Sequence, residues 1–107
     1  MTINGTAISM TRGDSETLTV KIKDGAFEAG DKVTFTARVR ATAPIAFQIV
    51  VTEFEDDGSA VITFDHETTE SLNFGRYMYD IELVRADGTV TTLIKPAAFD
   101  LTEEVTY

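Results

Sequence analysis

Apolar and polar residues alternate along most of this chain. Leu18, Val20 and Ile22 are interleaved with Thr17, Thr19, Lys21 and Lys23. Val33, Phe35, Ala37 and Val39 alternate with Thr34, Thr36, Arg38 and Arg40, and Tyr77, Tyr79, Ile81 and Leu83 with Met78, Asp80 and Glu82. A period of two sends successive side chains to opposite faces of a strand, so each run predicts a strand with one face on a core and the other in water. Weaker alternation predicts further strands at Thr6–Thr11, Val90–Lys95 and Ala97–Leu101. The stretch Ile45–Glu55 differs: Ile45, Phe47, Ile49 and Val51 share one face, but Val50 and Phe54 fall on the other. Ala60–Phe64 is apolar on both faces through Val61 and Ile62. A doubly apolar strand needs a second cover, so Val50, Phe54 and Val61 are expected to form a patch that contacts another chain.

Turn residues separate the runs. Asp56-Asp57-Gly58 and Ala86-Asp87-Gly88 place Asp-Gly between apolar segments, which predicts tight turns of type I′ or bulged three-residue loops. Asp24-Gly25 and Ala29-Gly30-Asp31 bracket a loop from which Phe27 should tuck under the edge of the fold. Pro44 and Pro96 stand near strand ends, where a missing N–H is tolerated. The segment His66–Leu72 breaks the alternation and reads as one short helical turn near 67–72, crossing between two sheets. Some seven or eight short strands with no long helix give an all-β fold, a single immunoglobulin-like antiparallel β-sandwich domain over residues 1–107. Composition agrees: Thr, Val, Ile, Phe and Tyr supply 44 of 107 residues and Leu only 5, a choice that suits pleated sheets over helices.

Composition also narrows the chemistry. The chain has no Cys, which removes disulfides, thiolate catalysis and Cys-ligated metals. With 9 Lys+Arg against 18 Asp+Glu, the net charge of −9 argues against a nucleic-acid partner, because phosphate binding needs clustered cations. No apolar run is long enough for a bilayer, and Met1–Gly5 shows no basic, apolar leader, so neither a membrane partner nor secretion by a cleaved signal is expected.

His66, the sole His, lies between Asp65 and Glu67, which an extended chain would point away from it, and no Ser sits in a Gly-x-Ser-x-Gly elbow. The chain therefore reads as no enzyme, with no catalytic residues and no cofactor. Acidic groups at Glu53, Glu55, Asp56 and Asp57, and at Asp65, Glu67 and Glu70, lack the spacing of a dedicated calcium loop, and no metal ligand is assigned. Arg12-Gly13-Asp14 reads as a turn. The charge is unevenly spread: residues 1–53 balance, whereas residues 54–107 carry the whole excess. Lys21, Lys23, Arg38 and Arg40 fall on outward positions, as do Asp80 and Glu82, so two faces of unlike sign are expected to steer protein partners, including a second copy.

The most specific local signal is Leu72-Asn73-Phe74-Gly75-Arg76-Tyr77. Leu72, Gly75 and Tyr77 have the spacing of a tyrosine corner, in which the phenol bonds back to the crossing loop. Arg12-Gly13-Asp14, Ala60–Phe64, the corner with Tyr79–Leu83, Ala86–Leu93 and Phe99–Thr106 follow in order, and together they resemble small immunoglobulin-like proteins of tailed bacteriophages and prophages. They are similar to the N-terminal modules of baseplate upper proteins. That resemblance implies a non-enzymatic structural and protein-interaction module, a virion tail or baseplate component or accessory made in the bacterial cytoplasm, with itself or other tail proteins as partners. The alternative is a ligand-binding sandwich module, calcium-dependent or for carbohydrate; a carbohydrate site would need exposed aromatics on one face, for which Phe47 and Tyr107 are poor candidates in a chain without Trp.

Overall fold

The alternating segments pair into two sheets of unequal size in the computed structural model, which describes residues 1–23 and 25–103. In chain order the elements are β1 (Thr2–Asn4), β2 (Ala7–Thr11), β3 (Glu16–Val20), β4 (Lys32–Arg38), β5 (Ile45–Val51), β6 (Ala60–Phe64), α1 (His66–Glu70), β7 (Gly75–Val84) and β8 (Val90–Thr102). The larger sheet has six strands in the order β1-β2-β8-β7-β4-β5; the smaller is the pair β3-β6. All pairs are antiparallel except β2 with β8, which run parallel. This is an immunoglobulin-like β-sandwich with one short helical turn.

The inward positions of the large sheet meet the small sheet in a cluster of aromatic rings. Phe35 on β4 stacks on Tyr79 of β7 at 4.8 Å and on Phe47 of β5 at 5.8 Å. Its remaining contacts are edge-on, to Phe64 of β6 at 5.1 Å and Phe99 of β8 at 5.9 Å. Offset and edge-to-face pairs of this kind add about 0.5–1.5 kcal/mol each beyond the area they bury. Five rings from five strands thus hold both sheets at one point. Val33, Ala37, Ile62, Ile81 and Leu101 fill the space around them.

Several boundaries differ from the sequence expectation. Val90–Lys95 and Ala97–Leu101 are one strand of 13 residues, not two. The ladder with β7 runs from Tyr79↔Ala97 to Ile81↔Ile94, so Lys95 and Pro96 together face Asp80. That bulge leaves Pro96 out of the ladder, which is how a proline survives inside a strand. β1, whose few residues show no alternation, was not foreseen. β3 ends at Val20 and β4 at Arg38, which leaves Val39 and Arg40 exposed in the following loop.

The two Asp-Gly turns share one geometry, the bulged three-residue loop. Glu55 N–H donates to the Ser59 carbonyl and Gly58 N–H to the Glu55 carbonyl; Arg85, Thr89 and Gly88 repeat the pattern. Asp57 and Asp87 each accept from the backbone N–H two residues on. Their topological roles differ. The second loop closes the β7–β8 hairpin, whereas the first lies on the crossing from β5 in the large sheet to β6 in the small one.

Candidate functional site

The six-stranded sheet has one face on the core and one open to solvent. On that open face β4 presents Lys32, Thr34, Thr36 and Arg38 in a row. The register sets Thr34 opposite Glu82 and Thr36 opposite Asp80 on β7, and Thr34 opposite Val50 and Thr36 opposite Gln48 on β5. These side chains line a polar groove of 300 Å³. A smaller hollow of 90 Å³ adjoins it, sharing Thr36, Arg38 and Asp80 and bounded by Met78 and Pro96. The bulge of β8 opposite Asp80 shapes that end of the groove.

Within the groove Gln48 Nε2 donates to Thr36 Oγ1 at 2.9 Å, which fixes the amide with its oxygen free to accept. Arg38 Nη1 donates to the Ala43 carbonyl at 2.6 Å, so its guanidinium is anchored at the mouth of the β4–β5 loop. The face therefore mixes two cations, two carboxylates, two hydroxyls and an amide on three adjacent strands. Faces of unlike sign, expected from sequence, are not what the pairing builds. Arg38 shares a face with Asp80 and Glu82, while Lys21 belongs to the region of the small sheet and lies 3.8 Å from Asp57. Alternation gives the side of a strand but not the strand beside it.

A second cluster sits at the end of the sandwich. Asp31 is buried and accepts from Glu28 N–H at 2.9 Å, Arg85 Nη1 at 2.7 Å and Ala86 N–H at 3.2 Å. The Glu28 N–H, followed by the Arg85 guanidinium and the Ala86 N–H, holds its carboxyl below the usual carboxylate range, against the opposing effect of desolvation. Arg85 also reaches the Ala26 carbonyl at 3.3 Å, so the pair ties the 25–31 loop to the β7–β8 turn. With both carboxylate oxygens of Asp31 accepting from groups of the protein, this is a brace.

The remaining sequence candidates are placed as follows. Tyr77, 6% exposed, donates its hydroxyl to the Asn73 carbonyl at 2.6 Å, while Leu72 packs partly buried against the core and Gly75 opens β7. Arg12 Nη1 donates to the Leu72 carbonyl, and Gly13 N–H to Thr69 Oγ1 at 2.9 Å, so the Arg-Gly-Asp turn docks on the end of α1.

Val50 and Val61 line a shallow hollow of 290 Å³ between the edges of β5 and β6, but Phe54 is not with them. β5 ends at Val51, and three residues on the Phe54 ring stacks on Phe27 at 5.2 Å against the core. The patch of three is thus corrected to two residues. Phe47 points into the core, and Tyr107 lies outside the described residues. His66 is exposed with Nε2 3.8 Å from Glu67, and Ser59 Oγ is committed to Asp57 at 2.6 Å. Among the described residues no three His, Asp or Glu side chains gather where they could share a metal ion. The acidic segments run along the chain without converging in space.

No protein-family model and no curated protein matches the chain. Among solved structures it is similar to CopC from Methylosinus trichosporium OB3b, with a TM-score of 0.53 and 14% identity over 94% of this chain and 89% of that one. The likeness is one of fold. It corrects the expectation of a phage or prophage tail or baseplate component, since the matching protein is no part of one. The segments behind that expectation are turns, a tyrosine corner and core alternation, which any sandwich of this kind requires whatever its role.

Proposed function

We propose that this protein is a ligand-binding β-sandwich module whose binding surface is the open face of the six-stranded sheet, and that its ligand is hydroxyl-rich, of the carbohydrate class. The observation that carries the reading is the polar groove itself. Lys32, Thr34, Thr36 and Arg38 on β4 stand between Gln48 on β5 and Asp80 and Glu82 on β7, with donors and acceptors interspersed. A vicinal diol offers one donor and one acceptor per hydroxyl, and a surface that mixes carboxylates with cations can satisfy both. The sheet's pleat holds these groups on rigid elements, so little entropy is lost in ordering them. Val50 is the apolar neighbour on this face, and the aromatic rings of β4, β5 and β7 point inward. Recognition is accordingly by hydrogen bonds, with affinities in the range of about 10⁻⁴–10⁻³ M. The reading rests on the hydrogen-bonding groups of the groove alone.

Titration of ¹⁵N-labelled protein with neutral and acidic oligosaccharides tests the proposal. Shifts should map to β4, β5 and β7, and Asp80→Ala should weaken binding about tenfold, the loss of roughly one charged hydrogen bond. Shifts confined to loops or to the small sheet, or no shifts across the panel, would overturn it.

A further inference from the structure

β5 is the last strand of the large sheet, and among the described residues no strand is hydrogen-bonded to its outer edge. Its seven residues, Ile45–Val51, contain no charge and no proline. Proteins ordinarily blunt such an edge with lysine, proline or a covering loop, because its unpaired N–H and C=O groups template another strand. Ile45 and Val50 are 45% and 49% exposed along it. The occupant of an edge must itself be a strand, since only a strand satisfies a ladder of backbone donors and acceptors.

The charges at the two ends indicate which strand. The end of β5 that follows the β4–β5 loop is basic, with Arg38 closing β4 opposite Ile45 and Arg40 in the loop itself, and the segment leaving β5 is acidic, with Glu53, Glu55 and Asp56. An antiparallel pair brings the first end of one strand against the second end of the other. A sequence that is basic at one end, neutral in the middle and acidic at the other complements itself under a two-fold axis. We propose that two copies of this chain pair antiparallel through β5, about a two-fold axis at Gln48. Gln48 is the middle residue, so this register overlaps the whole strand. It sets Val50 opposite Ala46 and Ile45 opposite Val51, and brings Arg40 of each copy toward Asp56 of the other. The two Gln48 residues stand opposite each other across the axis, each amide held by Thr36 of its own copy. The result is a continuous sheet of twice six strands with both polar grooves on one face of it, so the pairing stands whether or not those grooves bind a ligand.

Sedimentation equilibrium of the full chain, read against its 11.7 kDa mass, tests this. Wild type should move toward twice that mass as concentration rises through about 10⁻⁵–10⁻³ M, the range of small transient interfaces. Gln48 is exposed, so Gln48→Glu and Gln48→Lys leave the core untouched, and unchanged circular dichroism checks that each variant folds. Each should dimerise at least tenfold more weakly, because like charges then face each other across the axis, and an equimolar mixture of the two should recover the dimer. Arg40→Glu should weaken pairing severalfold, and Arg40→Glu combined with Asp56→Lys should restore it. A wild-type chain that stays at the monomer mass up to about 1 mM overturns the proposal, even if a foreign strand occupies the edge. So does a dimer on which neither Gln48 variant has any effect.

Discussion

Gly58 and Gly88 occupy the same position of the same bulged turn, with φ of +81° and +93°. Both lie in the left-handed region, where an L side chain costs about 1–2 kcal/mol. Gly→Ala at either site should therefore lose roughly 1 kcal/mol from backbone strain alone, offset a little by the reduced freedom of the unfolded chain. The surroundings then separate them. A Cβ on Gly88 meets nothing within 4 Å. A Cβ on Gly58 falls 2.4 Å from the Ala26 Cβ and 3.2 Å from its Cα. These are not the ends of flexible side chains, so the 25–31 loop itself must move. That loop is held by the Phe27 N–H, which donates to the Gly58 carbonyl at 3.0 Å, by the stack of Phe27 on Phe54, and by Asp31 with Arg85. Overpacking against such a segment adds about 1–3 kcal/mol. Gly58→Ala should thus cost about 2–4 kcal/mol and Gly88→Ala about 1. Urea unfolding of the two variants and wild type, with a common m-value, reads the difference directly. Equal losses at the two sites would refute the reasoning, because they would mean that the 25–31 loop is not held against the turn.

Tyr77→Phe keeps the buried ring and deletes the bond to the exposed Asn73, whose carbonyl water can then satisfy. The loss should be about 1 kcal/mol, or a fall of roughly 4–8 °C in thermal midpoint, and an unchanged midpoint would make the corner energetically idle. Asp31 titrates below the usual carboxylate range when folded, so its stabilising effect is present above about pH 4 and is lost as pH falls through the lowered folded-state value. Asp31→Asn should therefore be less stable at neutral pH and show a shallower acid limb in a plot of midpoint against pH; an acid limb identical to wild type would remove this role. Burial pushes the phenols of Tyr77 and Tyr79 up. Their contribution is complete below about pH 10 and is lost as pH rises through the higher folded-state values, so the double variant Tyr77→Phe/Tyr79→Phe should lose less stability than wild type between neutral pH and the alkaline range. Spectrophotometric phenol titration checks the same point.

Much of the fold was legible because a period of two leaves a local trace. Phe35, Tyr79, Ile81 and Leu83 face the core as their alternation predicts, and α1 lies within two residues of the expected turn at either end. Failures came where local pattern and neighbour disagree. Phe54 would share a face with Val50 only if β5 continued past Val51, and the strand ends there. Val90–Thr102 looks like two strands because a proline interrupts it, but a bulge against Asp80 absorbs the interruption. The groove was legible only in part: Arg38, Asp80 and Glu82 were recognisably outward, yet nothing in the sequence says that β4 and β7 are neighbours.

The sequence by itself determined that this chain forms strands, which face of most of them is buried, where the turns fall, and that it carries no thiol. Side-chain sterics and hydrophobic period act over a few residues, so those choices are local. Strand order, the parallel β2–β8 pair, the crossing made by one Asp-Gly turn and the hairpin made by the other were decided by tertiary structure. The same is true of the polar groove and the open β5 edge. Each depends on which distant segments pack side by side, and that is settled by closing one aromatic core across five strands.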